Sequence, residues 1–569
     1  MRNFAAVQPP RFNIAQTLQD AVGLHRQGRL REAEKLYARV LKAAPDNFDA
    51  LHLLGSIKAQ TGQMGEALRL ISAALKINPR SADALVNLAN VLHALKRNTD
   101  ALDCLDKALA INPGDLHALQ NRGSALLTLN RPQEALSCFE QVVQRSPGNG
   151  EALLNRGVAL ATLERHAEAL ADFDAALKME PGHPDVLYNR GNALLQLERH
   201  AEAVAAFDRA LAAVPAHGRA WNNRGRALEA LNRHDEAVAS FGKAIALQKD
   251  YADAHFNQAL ALLAVGDLRH GFAQYEWRWK RSGMTDTRRG YGRALWLGEF
   301  PLGHKTILLH AEQGLGDSIQ FARYAPLLAR AGARVVLEVQ PELKALLAGL
   351  DGVASCHARG EALPAFDVHC PLGSLPLAFK TERTNIPADI PYLRADEERI
   401  AKWRPVIEAL PGKRVALSWA GHARHANDRN RSIDLALLEP LLAQGDVSGG
   451  ISFVSIQREL RENDAAWLTR HPNVSHFGAE LADMADTAAV TALVDLVVAV
   501  DTSVVHLAGA MGRAVWVMLA FSPDWRWTIS GDHSPWYPQA RLFRQPAVGD
   551  WPSVVAKLRD ALANFAGNP

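Results

Sequence analysis

Two unlike patterns of apolar and polar residues divide this chain, and the change falls near residue 284. In the first pattern the small and apolar positions recur every 34 residues. Prolines mark the period at Pro45, Pro79, Pro113, Pro147, Pro181 and Pro215. Counting 31 residues back places repeat starts at Ile14, Phe48, Ala82, Leu116, Gly150 and Pro184. Two further repeats, without the proline, start at Gly218 and Ala252. The eighth position holds Gly55, Ala89, Gly123, Gly157, Gly191 and Gly225, and the twentieth holds alanine from Ala33 to Ala237. Small residues at both places let the two helices of a hairpin approach closely. Phe139, Phe173, Phe207 and Phe241 at the twenty-fourth position are expected to fill the gap between neighbouring hairpins. The proline stops the second helix, because it lacks an N–H and clashes with the preceding turn. One such hairpin does not bury its own apolar face, so the pattern predicts a stack of about eight over residues 14–283.

Beyond residue 304 short apolar runs alternate with helix-length segments. Strands are predicted at Thr306–His310, Arg334–Val339, Arg414–Trp419, Ile451–Ile456, Leu496–Val500 and Ala514–Leu519. Helices are predicted at Ser318–Arg330, Leu343–Leu350, Leu435–Ala443, Glu462–Arg470, Thr487–Val494, Val504–Met511 and Ser553–Phe565. This alternation implies parallel sheets in two Rossmann-like lobes, 305–395 and 396–569. Residues 1–13 read as an N-terminal tail. Residues 284–304, rich in Gly, Arg and polar residues, read as a linker.

The 34-residue period, with its Gly, Ala, Phe and Pro positions, resembles the tetratricopeptide family over roughly half the chain. The eighth repeat departs from it: Gly271 replaces the alanine and Gly283 the proline. Its second helix, Phe272 to Arg281, carries Tyr275 and Trp279 on one face. Either a base-stacking patch or a cap docking onto the next domain accounts for these rings, and the cap is the reading adopted.

Composition changes this picture little. The 569 residues are 48% hydrophobic, and 63 Lys and Arg against 61 Asp and Glu leave a net charge of +2. That balance argues against a dominant nucleic-acid surface. The longest apolar tract, Leu493 to Leu519, is interrupted by Asp495, Asp501, His506 and Arg513, so no membrane span is expected. The N-terminus has no secretory pattern, and Cys104, Cys138, Cys356 and Cys370 show no metal or redox spacing. A reducing cytoplasm is the expected location.

At the sixth position of six consecutive repeats stand Asn87, Asn121, Asn155, Asn189, Asn223 and Asn257. First helices line the concave face of such a solenoid. There, stacked amides can satisfy the N–H and C=O groups of an extended peptide without selecting a sequence. This resembles the asparagine ladder of O-GlcNAc transferase. Bonds to neighbouring repeats or to solvent are the alternative. Arg122, Arg156, Arg190 and Arg224 follow four of them, and acidic partners would make these structural.

Ligands of parallel α/β sheets bind where strands turn into helices. The first such turn, His310 to Ile319, contains Gly314, Gly316 and Asp317, the last either an N-cap or a base. The second runs from Val500 through Asp501, Thr502, Ser503 and His506 to Gly512. Helix-start N–H groups and the two hydroxyls suit a diphosphate. Asp501 would repel it, and so caps the helix or meets a donor hydroxyl. His506 is either a core histidine or a donor contact.

The stretch Asp501-Thr502 with His506-Leu507-Ala508, Ala510 and Gly512 is similar to the ADP-heptose-dependent heptosyltransferase-like family, which has the GT-B fold. Gly314-Leu-Gly316-Asp317 matches it too. The resemblance covers about 250 residues, strongest from Arg414. It implies that Asp317 is the catalytic base and that Thr502, Ser503 and His506 lie against a nucleotide diphosphate. It also implies that Arg429 or Arg431, in the loop Trp419 to Ser432, contacts phosphate, and that Gln457 lies near the base or ribose. The aromatic stretches Ser522 to Trp527 and Ser534 to Pro538 either stack on a ring or pack the cleft.

Together these features predict an all-α tetratricopeptide superhelix followed by a GT-B-like double Rossmann domain. The expected activity moves a sugar from a nucleotide-diphosphate sugar to a Ser or Thr of a protein held by the repeats. The transfer is expected to be inverting, with no cofactor, no metal site and no nucleic-acid partner. A non-catalytic adaptor with a degenerate transferase domain, and an enzyme acting on a glycan or lipid, are the rivals.

Overall fold

The computed structural model describes residues 13–282, 290–423, 427–443 and 450–566. Gly283, the first part of the expected linker (Met284 to Arg289), the loop residues Arg424, His425 and Ala426, and all of the expected tail except Asn13 lie outside them. The chain forms two compact units, Met1–Pro215 and Ala216–Pro569. The division therefore falls inside the repeats, after the sixth, rather than at their end.

The first unit holds six helical hairpins. Their first helices start at the predicted residues Ile14, Phe48, Ala82, Leu116, Gly150 and Pro184. The residue before each start caps it: Asn47, Ser81, Asp115 and Asn149 each accept a hydrogen bond from an N–H in the first turn. Second helices such as Met64–Ile77 and Asn98–Ile111 end two residues before the proline. The turn between the two helices needs one left-handed residue at position fifteen. Gly28 and Gly62 supply it in two hairpins, while Lys96, Asn130, Glu164 and Glu198 adopt it at φ of 60°, 56°, 61° and 58°.

The phenylalanines add a contact to the one expected of them. A Cβ on Gly123 would come within 2.5 Å of the Phe139 ring, and Gly157 stands in the same relation to Phe173. Gly123 and Phe139 belong to the two helices of one hairpin. The ring thus packs within its own hairpin, and glycine at position eight makes the room.

The second unit begins with two more hairpins, Gly218–Ala230 with His234–Leu247 and Ala252–Val265 with Leu268–Tyr275. The last is a cap: Phe272 and Tyr275 are buried in one core with Ile307, Ile319, Phe321, Trp525 and Trp536. Strands β1 (Ala294–Leu295), β2 (Thr306–His310), β3 (Arg334–Val339), β4 (Val353–Ala358) and β5 (Val368–Pro371) form a parallel sheet in the order β1-β5-β2-β3-β4. Part of the expected linker is therefore the edge strand β1. Strands β6 (Lys413–Ser418), β7 (Ile451–Ser455), β8 (Val474–His476), β9 (Leu496–Val500), β10 (Val515–Leu519) and β11 (Ala540–Arg544) form a second, with the order β11-β10-β9-β6-β7-β8. All its neighbours are parallel. The expected helix Ser318–Arg330 is two, Leu315–Ala322 and Ala325–Arg330, because Pro326 opens a new first turn.

After the edge strand β1, the first sheet builds from a central start at β2 outward through β3 and β4 and then returns to β5; the second starts centrally at β6, builds outward through β7 and β8, then returns to β9, β10 and β11. The reversal lies between β2 and β5 in the first sheet and between β6 and β9 in the second. The carboxyl ends of these pairs are the places where an open parallel sheet leaves a crevice.

Candidate functional site

At the first reversal, β2 ends at His310 and the helix Leu315–Ala322 begins five residues later. Gly314 is its N-cap, and its N–H donates to Asp317 Oδ2 at 3.0 Å. Asp317 is therefore a cap, as one reading of it required, but its other oxygen is free of that duty. Glu312 in the same turn accepts from Gly373 N at 3.1 Å, across to the loop after β5, and from Arg278 Nη2 at 3.2 Å. Burial pushes the Glu312 carboxyl up to about 7, against the pull of Arg278 and with help from Asp317.

At the second reversal, β9 ends at Val500 and Thr502 caps the helix Ser503–Ala510 without a side-chain bond. Thr502 Oγ1 is buried and has no hydrogen-bond partner among the described residues. Arg431, on the short helix Asp428–Arg431, donates from Nη1 to the Asp501 carbonyl at 3.1 Å, and its buried Nε also has no hydrogen-bond partner there. Its guanidinium lies against Gly421, where a Cβ would sit 2.8 Å from Cζ. Arg431 is thus a cation at the second reversal, while Arg429 is exposed. Burial pushes the Asp501 carboxyl up to about 6, and Asp524 adds to this.

Gln457, expected near the base or ribose, has its side-chain amide engaged within the protein. Its Oε1 accepts from Ser418 Oγ, Trp419 N and Ala420 N, and its Nε2 donates to the carbonyls of Ala420 and Glu459. Backbone and Ser418 occupy the whole amide, which ties the loop after β6 to the loop after β7.

His506 is buried one turn into its helix, and Nδ1 is 3.1 Å from Tyr537 Oη. Burial holds its pKa well below the ordinary histidine value, and Arg526, Arg323 and Arg431 push it the same way. The imidazole is therefore neutral near pH 7. Gly316 of the first lobe lies against it, half-buried Ser503 stands one turn away, and so the two candidate turns meet.

A residue that joins the two lobes was not singled out by the sequence. Arg526, inside the stretch Ser522 to Trp527, donates from Nη2 to Asp317 Oδ1, from Nε to Gln320 Oε1, and from Nη1 to Asp524 Oδ1 at 2.8 Å. Its guanidinium lies 4.3 Å from the Trp525 ring centroid. Burial opposes its charge, but Asp524 and Asp317 outweigh that and raise its pKa. Trp525 and Trp527 are buried, so these aromatics pack the cleft. A charged residue between two tryptophans, just beyond a strand's carboxyl end, was the available signal. Asp524, Glu312 and Arg278 were missed because each acquires its meaning only from partners far away in sequence.

The asparagine positions are all half-buried. In the first unit, Asn87 Nδ2 reaches His52 Nε2 at 2.8 Å, Asn121 Nδ2 donates to Asn90 Oδ1 at 2.8 Å, and Asn189 Nδ2 donates to the Asp185 carbonyl at 2.9 Å. Asn155 is half-buried beside them in sequence register. In the second, Asn223 Oδ1 accepts from Asn222 at 3.0 Å, and Asn257 Nδ2 donates to Asn222 Oδ1 at 3.0 Å. Bonds between repeats thus engage Asn87, Asn121 and Asn257, and bonds within a repeat engage Asn189 and Asn223; an amide carries two donors and two acceptor sites. The arginines that follow are structural: Arg122, Arg156 and Arg190 pair with Asp106, Asp172 and Asp174, and Arg224 donates to Ser240 Oγ. Among the described residues no group of three or more His, Cys, Asp or Glu can hold a metal ion, and no helix is long and apolar enough to cross a membrane.

Comparison with known proteins places tetratricopeptide-repeat family profiles on residues 80–147, 121–184, 188–247 and 222–269. A profile for subunit 3 of the anaphase-promoting complex, cyclosome, matches residues 26–108. Protein FlbA of Caulobacter vibrioides is 27% identical over 337 residues, or 55% of this chain and 55% of its own length. The chain thus spans about half the length of the curated relative it matches. Similar solved structures include a tetratricopeptide repeat protein from Parabacteroides merdae (19% identity, TM-score 0.36, 44% of this chain and 98% of that one). Another is YrrB, a tetratricopeptide protein with an unusual peptide-binding site (24% identity, TM-score 0.29, 32% and 95%). The N-terminal half of the chain is made of tetratricopeptide repeats.

Proposed function

Taking the N-terminal half as tetratricopeptide repeats, we propose that this protein is a glycosyltransferase that moves a sugar from a nucleotide-diphosphate sugar to a Ser or Thr hydroxyl of a polypeptide. The α/β half acts as a GT-B-like pair of lobes, and the repeats hold the acceptor chain. One observation carries this reading: Asp317, at the reversal of the first sheet, and Thr502 with His506, at the reversal of the second, are brought together, Gly316 lying on His506 and Arg526 bonding Asp317.

In this mechanism Asp317 takes the proton of the acceptor hydroxyl. The hydroxyl oxygen forms the new bond to the anomeric carbon, and the bond to the diphosphate breaks with its electron pair. The configuration inverts in this one displacement. Charge developing on the diphosphate is met by the N–H groups at the start of Ser503–Ala510, the unbonded Thr502 hydroxyl and Arg431. The neutral His506 adds no charge there and serves as packing or as a hydrogen-bond partner. Half-buried asparagines along the repeats pair with the acceptor backbone through the donors and acceptors that their neighbours leave unused.

The test is titration with UDP, ADP, GDP and CMP, followed by transfer assays on the nucleotide that binds. Asp317→Asn should keep nucleotide affinity and lose transfer by at least 100-fold. Wild-type transfer by that variant, in a folded protein, removes Asp317 as the base. Binding of none of the four nucleotides would favour the adaptor. Replacing Asn121, Asn155 and Asn189 with Ala should raise KM for a protein acceptor; an equal effect on a small glycan acceptor would favour the glycan-directed rival.

A further inference from the structure

We infer that Arg526 is a positioning residue, which fixes the Asp317 carboxylate in one orientation, and that the seventh repeat fixes Arg526. The inference rests on Asp317 being the base and goes beyond it, because it makes a tetratricopeptide turn part of the catalytic apparatus. Asp317 is gripped at both oxygens, by Gly314 N on Oδ2 and by Arg526 on Oδ1. A carboxylate so held cannot turn about its last bond, and each oxygen keeps one lone-pair direction for a substrate proton. Arg526 is held in turn by Asp524, Gln320 and the Trp525 face, so its own rotation is blocked.

The loop that carries Arg526 is anchored from outside the α/β half. Asn232 Nδ2 donates to the Phe521 carbonyl at 2.6 Å, and Ser522 Oγ donates to the Glu229 carbonyl at 3.1 Å. Glu229 and Asn232 lie at the turn between the two helices of the seventh hairpin. Burial pushes the Glu229 carboxyl up to about 7, Arg226 opposing and Asp524 reinforcing the shift, which places the turn within electrostatic reach of Asp524. Asn232 is the left-handed residue of its turn, at φ 57°. Glycine adopts that conformation without strain. Asn232→Gly therefore keeps the turn conformation and removes the amide that grips the loop, together with its contact to His234 Nε2 at 3.4 Å.

Four variants test this with the full chain, by release of nucleotide from whichever UDP-, ADP-, GDP- or CMP-sugar is the donor. Arg526→Met should lower kcat by about 100-fold or more and leave KM for the donor within about threefold, since a lost catalytic orientation is a kcat effect. Arg526→Lys, a point charge that can meet Asp317 but not all three partners, should recover part of it. Asn232→Gly should lower kcat by about three- to tenfold, and Asn130→Gly, at the same turn position in the fourth repeat, should not. Wild-type kcat in Arg526→Met and Asn232→Gly, alongside an inactive Asp317→Asn, overturns the inference and leaves the base intact. So does a change confined to KM. An active Asp317→Asn instead overturns the functional reading beneath it.

Discussion

Gly316 and His506 stand so close that a Cβ at 316 would lie 2.7 Å from His506 Cδ2. This contact lets the helix after the first lobe's candidate turn pack on the helix after the second lobe's. A resemblance between the Gly-x-Gly-Asp turn and a nucleotide-sugar site thereby acquires a physical cause. The second glycine is there because the histidine ring of the other turn needs its space.

Gly316→Ala should accordingly cost about 1–3 kcal/mol, since the buried ring has little room to retreat. Thermal unfolding of the full chain measures it. Gly303→Ala, where a Cβ would meet nothing within 4 Å, is the matched control and should be near neutral. Equal stabilities for the two variants would mean that the helices do not need this approach.

Asp501 supplies a pH dependence. Its folded-state pKa is raised from 3.8 to about 6 by burial and by Asp524. The stability it contributes is present below pH 3.8 and is lost as pH rises through about 6, because the folded protein then holds a poorly solvated carboxylate. Asp501→Asn removes the titration. Relative to wild type, the variant should gain about 2 kcal/mol more at pH 8 than at pH 4, as read by chemical denaturation at the two values. The same difference at both would refute the assignment. The stabilised variant should also transfer more slowly, if Asp501 meets the donor.

Repetition made the first half legible: eight starts read from one period coincide with eight observed helix starts, because each hairpin restates the same packing problem. The central strands β2, β3, β6, β7, β9 and β10 were also legible, being buried apolar runs. Strands β1, β4, β5, β8 and β11 were not. Val353–Ala358 and Val368–Pro371 carry Ser, Cys, His and Pro rather than an apolar run, and strand pairing overrides their weak local preference. At the site, turns with a local signature were found in the sequence: Gly314 to Asp317, and Asp501 to His506. Arg526, Glu312 and Arg278 were not found, since a buried cation shows only when its counter-ions, such as Asp317 209 residues away, are seen beside it.

Within a hairpin, position eight and position twenty-four form a matched pair. Gly157 faces Phe173, Gly55 faces Ile71, and the third repeat carries Ala89 with Leu105 in the same places. Gly157→Ala should destabilise the first unit by about 1–3 kcal/mol through overpacking. Adding Phe173→Leu, which recreates the Ala–Leu pair, should recover part of that loss rather than add a second. Helical circular dichroism in denaturant gives the double-mutant cycle, and strictly additive losses would show that the two positions do not share one space.

The left-handed turn residues offer a stabilising change. Glu164 and Glu198 hold φ of 61° and 58°, where a side chain with a Cβ is strained by about 1 kcal/mol and glycine is not. Gly28 and Gly62 already occupy this position in the first two repeats. Glu164→Gly and Glu198→Gly should each stabilise by about 0.5 kcal/mol, less than the full strain because glycine adds entropy to the unfolded chain. Asn130→Gly should change little, since asparagine tolerates this region. Hydrogen exchange in the flanking helices, His166–Met179 for Glu164 and His200–Ala213 for Glu198, is the measurement, because it reads each hairpin separately within the full chain. Slower exchange confined to the neighbouring hairpins is the expected result. Faster exchange there would mean that the glutamate side chains hold these turns by contacts worth more than the strain.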